Sequence, residues 1–206
     1  MLNFDIEKKF EKPVIGVDEV GRGPLAGPVV SCACIFFDYN LSKSDLEVFN
    51  DSKKLSKNRR MEALKVIFNL KKNKILNFSL GFSNVFEIDR LNIYEATKLS
   101  MLRAIKKLKI NNSDIIIDGR MKLKFNENYC HDILKGDEKS ITIAAASIIA
   151  KIHRDRYMSK IGIDYSVYDW KQNSGYGTRK HIEKIKKLGI CIHHRKSFEP
   201  IKTLIH

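Results

Sequence analysis

Short runs of apolar residues in the first part of the chain are typical of β-strands. Residues 13–18, 29–37 and 75–82 are rich in β-branched and aromatic side chains. Pro24 and Pro28 lie between the first two runs, and proline favours a turn over a continuous strand. The pattern therefore predicts a β-hairpin followed by a third strand.

A period of three to four residues, typical of an amphipathic helix, takes over in residues 56–70 and 95–108. Ser56 stands where the first of these helices begins, and serine is a favourable N-cap residue. Two more helices are predicted, an Ala-rich one that begins at Ser140 and one over residues 181–188. Helices therefore separate and follow the strands.

Two further strands are predicted after the second helix. Residues 115–117 are all isoleucine, which is typical of a strand that is covered on both faces. Residues 129–134 follow as a shorter strand. Strands that alternate with helices predict an α/β fold in which a mixed sheet is layered with helices.

The length and composition fit a single domain. The chain has 206 residues, of which 43% are hydrophobic, and it can bury one ample core. We expect one domain over residues 1–206, with a basic helical extension over about 170–206. No apolar run approaches the roughly 20 residues of a membrane span, and residues 1–13 lack an apolar secretion core, so a cytoplasmic protein is expected.

The charge is strongly basic and unevenly distributed. The formal net charge is +14, with 38 Lys and Arg against 24 Asp and Glu. Residues 51–60 form one basic cluster, and from Lys171 to the C-terminus nine basic residues stand against two acidic ones. Two such clusters favour a polyanionic partner, whereas solvated helix faces and genome composition are the ordinary explanations of lysine-rich runs.

Four cysteines are scattered along the chain, and no CxxC pair occurs. Cys32 and Cys34 share one face of a predicted strand, and the other two are isolated. The spacing supports neither a disulfide framework nor a zinc finger. A mixed metal site of residues 130–131 and 191–194 is an alternative, but structural cysteines are the favoured interpretation.

Carboxylates occur where predicted elements end or begin. Asp18 and Glu19 end the first strand, Asp118 ends the isoleucine strand, and Asp137 precedes the Ala-rich helix. In α/β sheets, ligands and catalytic side chains gather at strand ends. Four carboxylates in one place repel one another unless cations lie among them. Mg²⁺ or Mn²⁺, which prefer oxygen ligands, would meet that need.

Ordinary structural roles for these carboxylates stay open at this point. An aspartate beside a glycine is a common turn signal, which fits Asp118 and Asp137. Adjacent residues of a regular strand point to opposite faces. Asp18 and Glu19 can therefore share a site only if the strand ends or bends there, and Gly21 and Gly23 permit that bend.

Seven blocks of sequence follow one another along nearly the whole chain: GVDEVGRGPLAGPVV (16–30), NDSKKLS (50–56), EIDRLNI (87–93), IIIDGR (115–120), KGDEKSITIAAASIIAKIHRDRYM (135–158), SGYGTRKH (174–181) and HHRKSFEPIK (193–202). Together they resemble the bacterial ribonuclease HII family of type 2 ribonucleases H. The related ribonuclease HIII usually has Lys where this loop has Arg22 and adds an N-terminal substrate-binding domain. The resemblance implies a ribonuclease H-like mixed five-stranded sheet flanked by helices, with a helical C-terminal extension.

The resemblance also implies an activity. The expected enzyme is an endonuclease that hydrolyses the RNA strand of RNA–DNA hybrids and cuts 5′ to single ribonucleotides embedded in duplex DNA, as in ribonucleotide excision during DNA replication and repair. Two-metal-ion in-line hydrolysis would leave 3′-OH and 5′-phosphate ends. The cofactors would be two Mg²⁺ or Mn²⁺ ions, and a monomer is expected. The family's catalytic, metal-binding carboxylates fall on Asp18, Glu19, Asp118 and Asp137.

Substrate contacts are implied in the same way. The loop Gly21-Arg22-Gly23 would read the 2′-OH, which distinguishes RNA from DNA. Tyr176 would pack on the sugar that follows the ribonucleotide. Further residues match positions that are expected near phosphates: Lys53, Arg195 and Ser197.

One departure from the family pattern concerns phosphate binding. This chain has Asn173-Ser174 where family members commonly have His-Lys. If the missing lysine normally meets a phosphate, affinity is lower here or is carried by Lys171 and Arg179.

Two other functions compete with this interpretation. A non-catalytic basic nucleic-acid-binding module would use only the basic tail, but such a module has no use for carboxylates beside phosphate. Another nuclease or integrase of the same fold is disfavoured by the Gly-Arg-Gly and GYGT blocks. The C-terminal IKTLIH contains no glutamine-led clamp-binding peptide, so the sequence indicates no protein partner.

Overall fold

The computed structural model describes residues 2–49, 57–126 and 128–204. In this part of the chain the strands are β1 (Val14–Val20), β2 (Val29–Phe36), β3 (Leu76–Ser83), β4 (Asp114–Asp118), β5 (Lys124–Phe125), β6 (Asn128–Tyr129) and β7 (His131–Ile133). Five of them form a sheet in the order β3-β2-β1-β4-β7, and β5 pairs with β6. β2 is antiparallel to β1 and β3, whereas β4 is parallel to β1 and β7. The predicted hairpin and mixed five-stranded sheet are confirmed.

The helices that lie between and after these strands are α1 (Lys43–Glu47), α2 (Lys57–Lys72), α3 (Val85–Leu91), α4 (Ile93–Leu108), α5 (Ile141–Asp164), α6 (Trp170–Asn173), α7 (Arg179–Leu188) and α8 (Ile201–Leu204). The four predicted helices are confirmed as α2, α4, α5 and α7. Ser140 caps α5, because its Oγ accepts a hydrogen bond from the amide of Ile143 at 3.1 Å. The proposed N-cap Ser56 lies outside the described residues.

Several elements differ from the prediction. Helices α1, α3, α6 and α8 were not predicted, and α3 begins with a capping box in which the side chains of Asn84 and Glu87 each accept the other's amide at 2.9 Å. β7 begins at His131 because residues 128–129 pair with β5 instead. β1 continues to Val20 rather than ending at the acidic pair.

The sheet is covered by α4 on one face and by α5 with α2 on the other. Ile15 and Val17 of β1 pack in the same cluster as Met101 of α4. Gly16, on the opposite face, allows α5 to approach closely, because a Cβ there would lie 2.6 Å from the carbonyl carbon of Thr142. This close approach brings the next turns of α5 beside the C-terminal end of β1.

The isoleucine strand β4 is buried on both faces, as predicted. Ile115 and Ile117 belong to the α4 layer, and Ile116 packs with Ile143 of α5. The side chains of β4 are part of the core as far as Ile117. The next residue, Asp118, lines the candidate site.

The C-terminal part is helical, as predicted, and it shares a core with the loop after β1. α6, α7 and α8 pack with the second half of α5 around one apolar cluster, which consists of Leu25, Ala26, Met158, Tyr168, Trp170, Ile185 and Ile201. Among the described residues, no helix is both long and apolar enough to cross a bilayer.

Candidate active site

A cavity of about 350 Å³ opens where β1 extends beyond its pairing with β4. Three of the four predicted carboxylates share this cavity with side chains of α2, α5 and the turn before α7. The residues that line it are Asp18, Glu19, Val20, Arg60, Asp118, Ser147, Lys151 and Tyr176.

Asp18 and Glu19 reach the same cavity because the neighbouring strand pair ends, not because β1 ends. The last residues of β1 that pair with β4 are Val17 and Ile117. Asp18 and Glu19 still pair with β2 on the other side, so the space that opens beside them is on the β4 side. The Glu19 amide donates to Asp18 Oδ1 at 2.7 Å.

Burial and mutual repulsion dominate the electrostatics of the acids. The pKa of Asp18 is raised well above its ordinary value by burial first, and then by the negative charges of Glu19 and Asp118. Burial also raises the pKa of Glu19, against the opposing effect of Arg22, whose Nη1 lies 3.3 Å from Glu19 Oε1. A cation in the cavity would offset the repulsion between the carboxylates and would favour their charged forms despite burial.

Asp137 is buried beside these acids, but it does not line the cavity. It lies in the single 3₁₀ turn Gly136–Glu138. The amide of Gly136 donates to Asp118 Oδ1 at 2.6 Å, which ties this turn to the end of β4. Asp137 is thus one residue from a direct contact with the site.

Carboxylate oxygens are the donors that Mg²⁺ and Mn²⁺ prefer, so this set of side chains fits such ions in kind. In the described residues, no group of three or more His, Cys, Asp or Glu side chains is arranged closely enough to hold a metal ion. The alternative Cys/His metal site of residues 130–131 and 191–194 is not formed within this part of the chain.

Two buried arginines hold the backbone of the loop that follows β1. Arg195 donates to the carbonyl oxygens of Gly21 at 2.6 Å, Arg22 at 2.9 Å and Gly27 at 3.0 Å. Its burial lowers its pKa to about 9. The resemblance implies a place near phosphate for Arg195, but the side chain is fully buried and lies behind the loop. Its guanidinium donates hydrogen bonds to the carbonyl oxygens of the loop.

Arg154, the second of these arginines, was not predicted from the sequence. It donates to Pro28 O at 2.9 Å, to Ala26 O at 3.0 Å and to Ser174 O at 2.9 Å, and burial lowers its pKa to about 10. A signal was present, because residues 146, 150, 154 and 158 form one buried face of α5 and an arginine on such a face needs buried acceptors.

The loop conformation also requires glycine. Gly21 has φ +96°, and a Cβ there would overlap the Nε of Arg154. At Gly23, a Cβ would lie 3.9 Å from Cε1 of Tyr176, so the tyrosine ring stands next to the loop. Tyr176 is 42% exposed and lines the cavity.

The remaining predicted contacts lie farther out. Ser197 is exposed, and its Oγ donates to Asp89 Oδ1 at 2.6 Å. Lys53 lies outside the described residues. Lys171 and Arg179 are both exposed, and Arg179 Nε lies 2.9 Å from Glu183 Oε1.

A basic groove adjoins the cavity. It has a volume of about 340 Å³, and Arg60 lines both the groove and the cavity. Arg156 and Lys171 are exposed on its walls. Asp155, the acid in the groove, is paired with Lys151 at 2.8 Å.

Solved structures with a similar fold are ribonucleases H. The crystal structure of ribonuclease H2 from Pyrococcus horikoshii OT3 matches with a TM-score of 0.74 and 28% identity, over 93% of this chain and 96% of that chain. The structure of Bst-RNase HIII in complex with Mn²⁺ matches with a TM-score of 0.71 and 21% identity, over 94% and 69% of the two chains. The fold is thus ribonuclease H-like, and the class of protein is a nuclease of that fold.

The particular family follows from the sequence comparison. The ribonuclease HII family model matches residues 15–201. Ribonuclease HII of Staphylococcus saprophyticus subsp. saprophyticus is 46% identical, over 100% of this chain and 78% of that protein. The chain belongs to the ribonuclease HII family, and its activity is that of a ribonuclease H, the hydrolysis of RNA in RNA–DNA hybrids.

Proposed function

We propose that this protein is an endonuclease that also cuts 5′ to single ribonucleotides embedded in duplex DNA and leaves 3′-OH and 5′-phosphate ends. The observation that carries the proposal is the shared cavity of Asp18, Glu19 and Asp118, beside a glycine loop and an exposed tyrosine ring. Residues 1–206 would act as one catalytic domain, with about 170–206 as its substrate-binding extension. A monomer is sufficient for this chemistry.

The carboxylates would hold two Mg²⁺ or Mn²⁺ ions. When bound, such ions supply a nucleophilic water at neutral pH and stabilise the leaving oxygen in an in-line displacement. Asp18, Glu19 and Asp118 would contribute ligands from the cavity, and Asp137 would be the fourth carboxylate, in the turn that is hydrogen-bonded to Asp118. The raised pKa of Asp18 and of Glu19 supports this role, because cations would compensate the repulsion.

Residues around the acids would orient the substrate. In the loop Gly21-Arg22-Gly23, Gly21 allows the turn against Arg154, and the exposed Gly23 has no side chain, so the backbone there can approach a 2′-OH closely. Tyr176 stands beside that loop and would pack on the sugar that follows the ribonucleotide. Lys151, which lines the cavity and is oriented by Asp155 at 2.8 Å, would face a phosphate next to the acids.

The basic groove would carry the nucleic-acid backbone away from the cavity. Arg60 connects the two spaces, and Arg156 and Lys171 add positive charge along the groove. Contacts of this kind with phosphates supply affinity and register without reading the bases. Ser174 stands where the family commonly has lysine. Lys171 lines the same groove as Ser174, and Lys171 would supply the positive charge there.

The decisive experiment uses four duplexes of one sequence: all DNA, all RNA, an RNA–DNA hybrid, and DNA with one ribonucleotide. The purified protein is incubated with each in Mg²⁺, in Mn²⁺ and in excess chelator. We expect cleavage of the last two duplexes, dependent on the metal, with ends that a ligase and a polymerase accept. Binding without cleavage would favour the non-catalytic basic module, and cleavage of the hybrid alone would refute the embedded-ribonucleotide activity.

A further inference from the structure

A chain of buried hydrogen bonds leads from the C-terminal segment to the backbone of Tyr176. His181 Nδ1 lies 2.8 Å from Tyr176 O, and His181 Nε2 lies 3.1 Å from His194 Nε2. Trp170 Nε1 is 3.1 Å from the same His181 Nε2, and the amide of Cys191 is 3.0 Å from His194 Nδ1. We propose that His181 and His194 are positioning residues that set the place of Tyr176 at the cavity.

The donors fix the tautomers of both rings. An indole N–H and a backbone N–H can only donate, so His181 Nε2 and His194 Nδ1 are acceptors. His181 then carries its proton on Nδ1 and donates it to Tyr176 O. His194 carries its proton on Nε2 and donates to His181. The bonds run from the Cys191 amide to the Tyr176 carbonyl, and the Trp170 indole joins them at His181 Nε2, where the two donors share one lone pair.

The hydrogen bonds from the Cys191 amide through His194 and His181 to Tyr176 O are called the relay below. Because the relay is buried, water cannot readily replace its members. Trp170, His181 and His194 are each at most 1% exposed. Burial also lowers the pKa of both histidines, that of His194 to about 4, so the neutral forms that the relay needs prevail near neutral pH. The Tyr176 carbonyl accepts from two donors, the His181 ring and the amide of Thr178 at 2.8 Å, so loss of His181 removes the donor that ties this carbonyl to the C-terminal segment and leaves only the local one.

The same C-terminal segment also holds the loop that follows β1. The amide of Gly27 donates to His193 O at 2.9 Å, and the amide of Arg195 donates to Leu25 O at 2.8 Å. Ala26 and His194 form an antiparallel bridge between these two bonds. His194 therefore touches the glycine loop with its backbone and the Tyr176 turn with its side chain, and one residue spans the two elements that face the substrate.

The relay rests on the proposed function, since its effect on catalysis passes through the ring of Tyr176. Loss of the relay should shift the ring relative to the loop while the carboxylates of the sheet stay in place. A displacement of about 1 Å costs on the order of 100-fold in rate. The loss should fall on kcat for a single embedded ribonucleotide, with KM changed less than about 3-fold, because the basic groove is untouched.

Two variants of similar volume separate positioning from packing. In His181→Asn the amide reaches the Nδ1 position and can still donate to Tyr176 O. In His181→Gln the amide reaches the Nε2 position, where it can accept from Trp170, but the Tyr176 carbonyl then keeps only the local amide of Thr178 as a donor. We expect a loss of kcat of roughly 10- to 100-fold for Gln and less than about 5-fold for Asn. His193→Asn is the matched control, because that ring packs on Tyr165 and Trp170.

The closing experiment is a double-mutant cycle of His181→Gln with Tyr176→Ala, measured in single turnover on the embedded-ribonucleotide duplex with circular dichroism of every variant. We expect His181→Gln to cost little further rate once the ring is gone, which is strong coupling. Equal losses for Gln and Asn, or additive losses in the cycle, would overturn the relay.

Failure of the proposed function and failure of the relay give different results. A wild-type protein that does not cut this duplex would refute the proposed function, and the cycle would then be measured on the RNA–DNA hybrid. If His181→Gln does not fold, His194→Gln replaces it in the cycle, and the same coupling with Tyr176→Ala is expected.

Discussion

Arg195 Nη2 donates to Gly21 O at 2.6 Å, although 174 residues separate the two along the chain. The guanidinium fork also serves the carbonyls of Arg22 and Gly27. Arg154 holds the other end of the same loop through Ala26 and Pro28. The loop that follows β1 therefore takes its shape from two buried cations behind it.

Arg195→Lys should damage both the stability and the specificity of the enzyme. A lysine cannot reproduce the rigid fork, so at least one buried carbonyl loses its donor, and the free energy of unfolding should fall by on the order of 3 kcal/mol. Urea unfolding and the ratio of rates on embedded-ribonucleotide and hybrid duplexes test this. The neighbouring, exposed Lys196 gives the control Lys196→Arg, and an unchanged ratio in a stable Arg195→Lys variant would show that the loop does not depend on the fork.

Asp18→Asn and Asp118→Asn should abolish cleavage while hybrid binding persists. The change is nearly isosteric, and it removes the charge of a proposed metal ligand without removing the side chain. In the absence of divalent metal, Asp18→Asn should also raise the melting temperature, because it relieves the repulsion of Asp18 by Glu19 and Asp118. Asp5→Asn on the surface is the control.

Gel-shift binding, single-turnover cleavage and thermal melts with chelator measure these effects. Cleavage by Asp18→Asn within a few-fold of the wild-type rate would remove that residue from the proposed ligands.

The stability of the protein should fall as the pH falls from about 6.5 to about 4. An unfolded histidine titrates near 6.5, whereas burial lowers the pKa of His194 to about 4 in the fold. Between these values the unfolded chain binds more protons, so the free energy of unfolding decreases with falling pH, and below the lower value this contribution levels off.

The comparison of wild type with His194→Asn tests that assignment. His181, His193, Cys191, Tyr168 and Trp170 surround the His194 ring, and those groups stay in place in the variant. Urea unfolding from pH 7 to pH 4 should show a shallower slope for the variant. Identical slopes would mean that other groups dominate the acid sensitivity.

Arg156→Ala and Lys171→Ala should weaken binding to every duplex and flatten its salt dependence. Each lost phosphate contact reduces the slope of log K against log salt by about 0.9 on duplex DNA, while kcat at saturation should stay within a few-fold. Lys74→Ala, an exposed lysine at the end of α2, is the control. An unchanged slope in Arg156→Ala and Lys171→Ala would place the nucleic acid elsewhere.

The local pattern of the sequence was sufficient for the sheet and for the acids. Periods of two and of three to four residues follow from where side chains point in strands and helices, so the hairpin, the isoleucine strand and the four main helices could be predicted. Carboxylates at predicted strand ends can also be recognised from the local sequence. Asp18, Glu19 and Asp118 lie in one cavity, as that pattern suggested. Helix α3 was missed because its start depends on a reciprocal cap between Asn84 and Glu87 rather than on hydrophobic period.

Only the tertiary structure decided the roles of the buried polar side chains. Asp18 and Glu19 share the cavity because β4 stops pairing with β1 at Ile117, which is a property of two strands that are distant in sequence. Arg195 lies behind the glycine loop, and His181 meets His194, because packing removed water and left these groups only each other and the backbone as partners. A buried polar group takes whichever partner the fold brings within about 3 Å, and the sequence does not encode that choice locally.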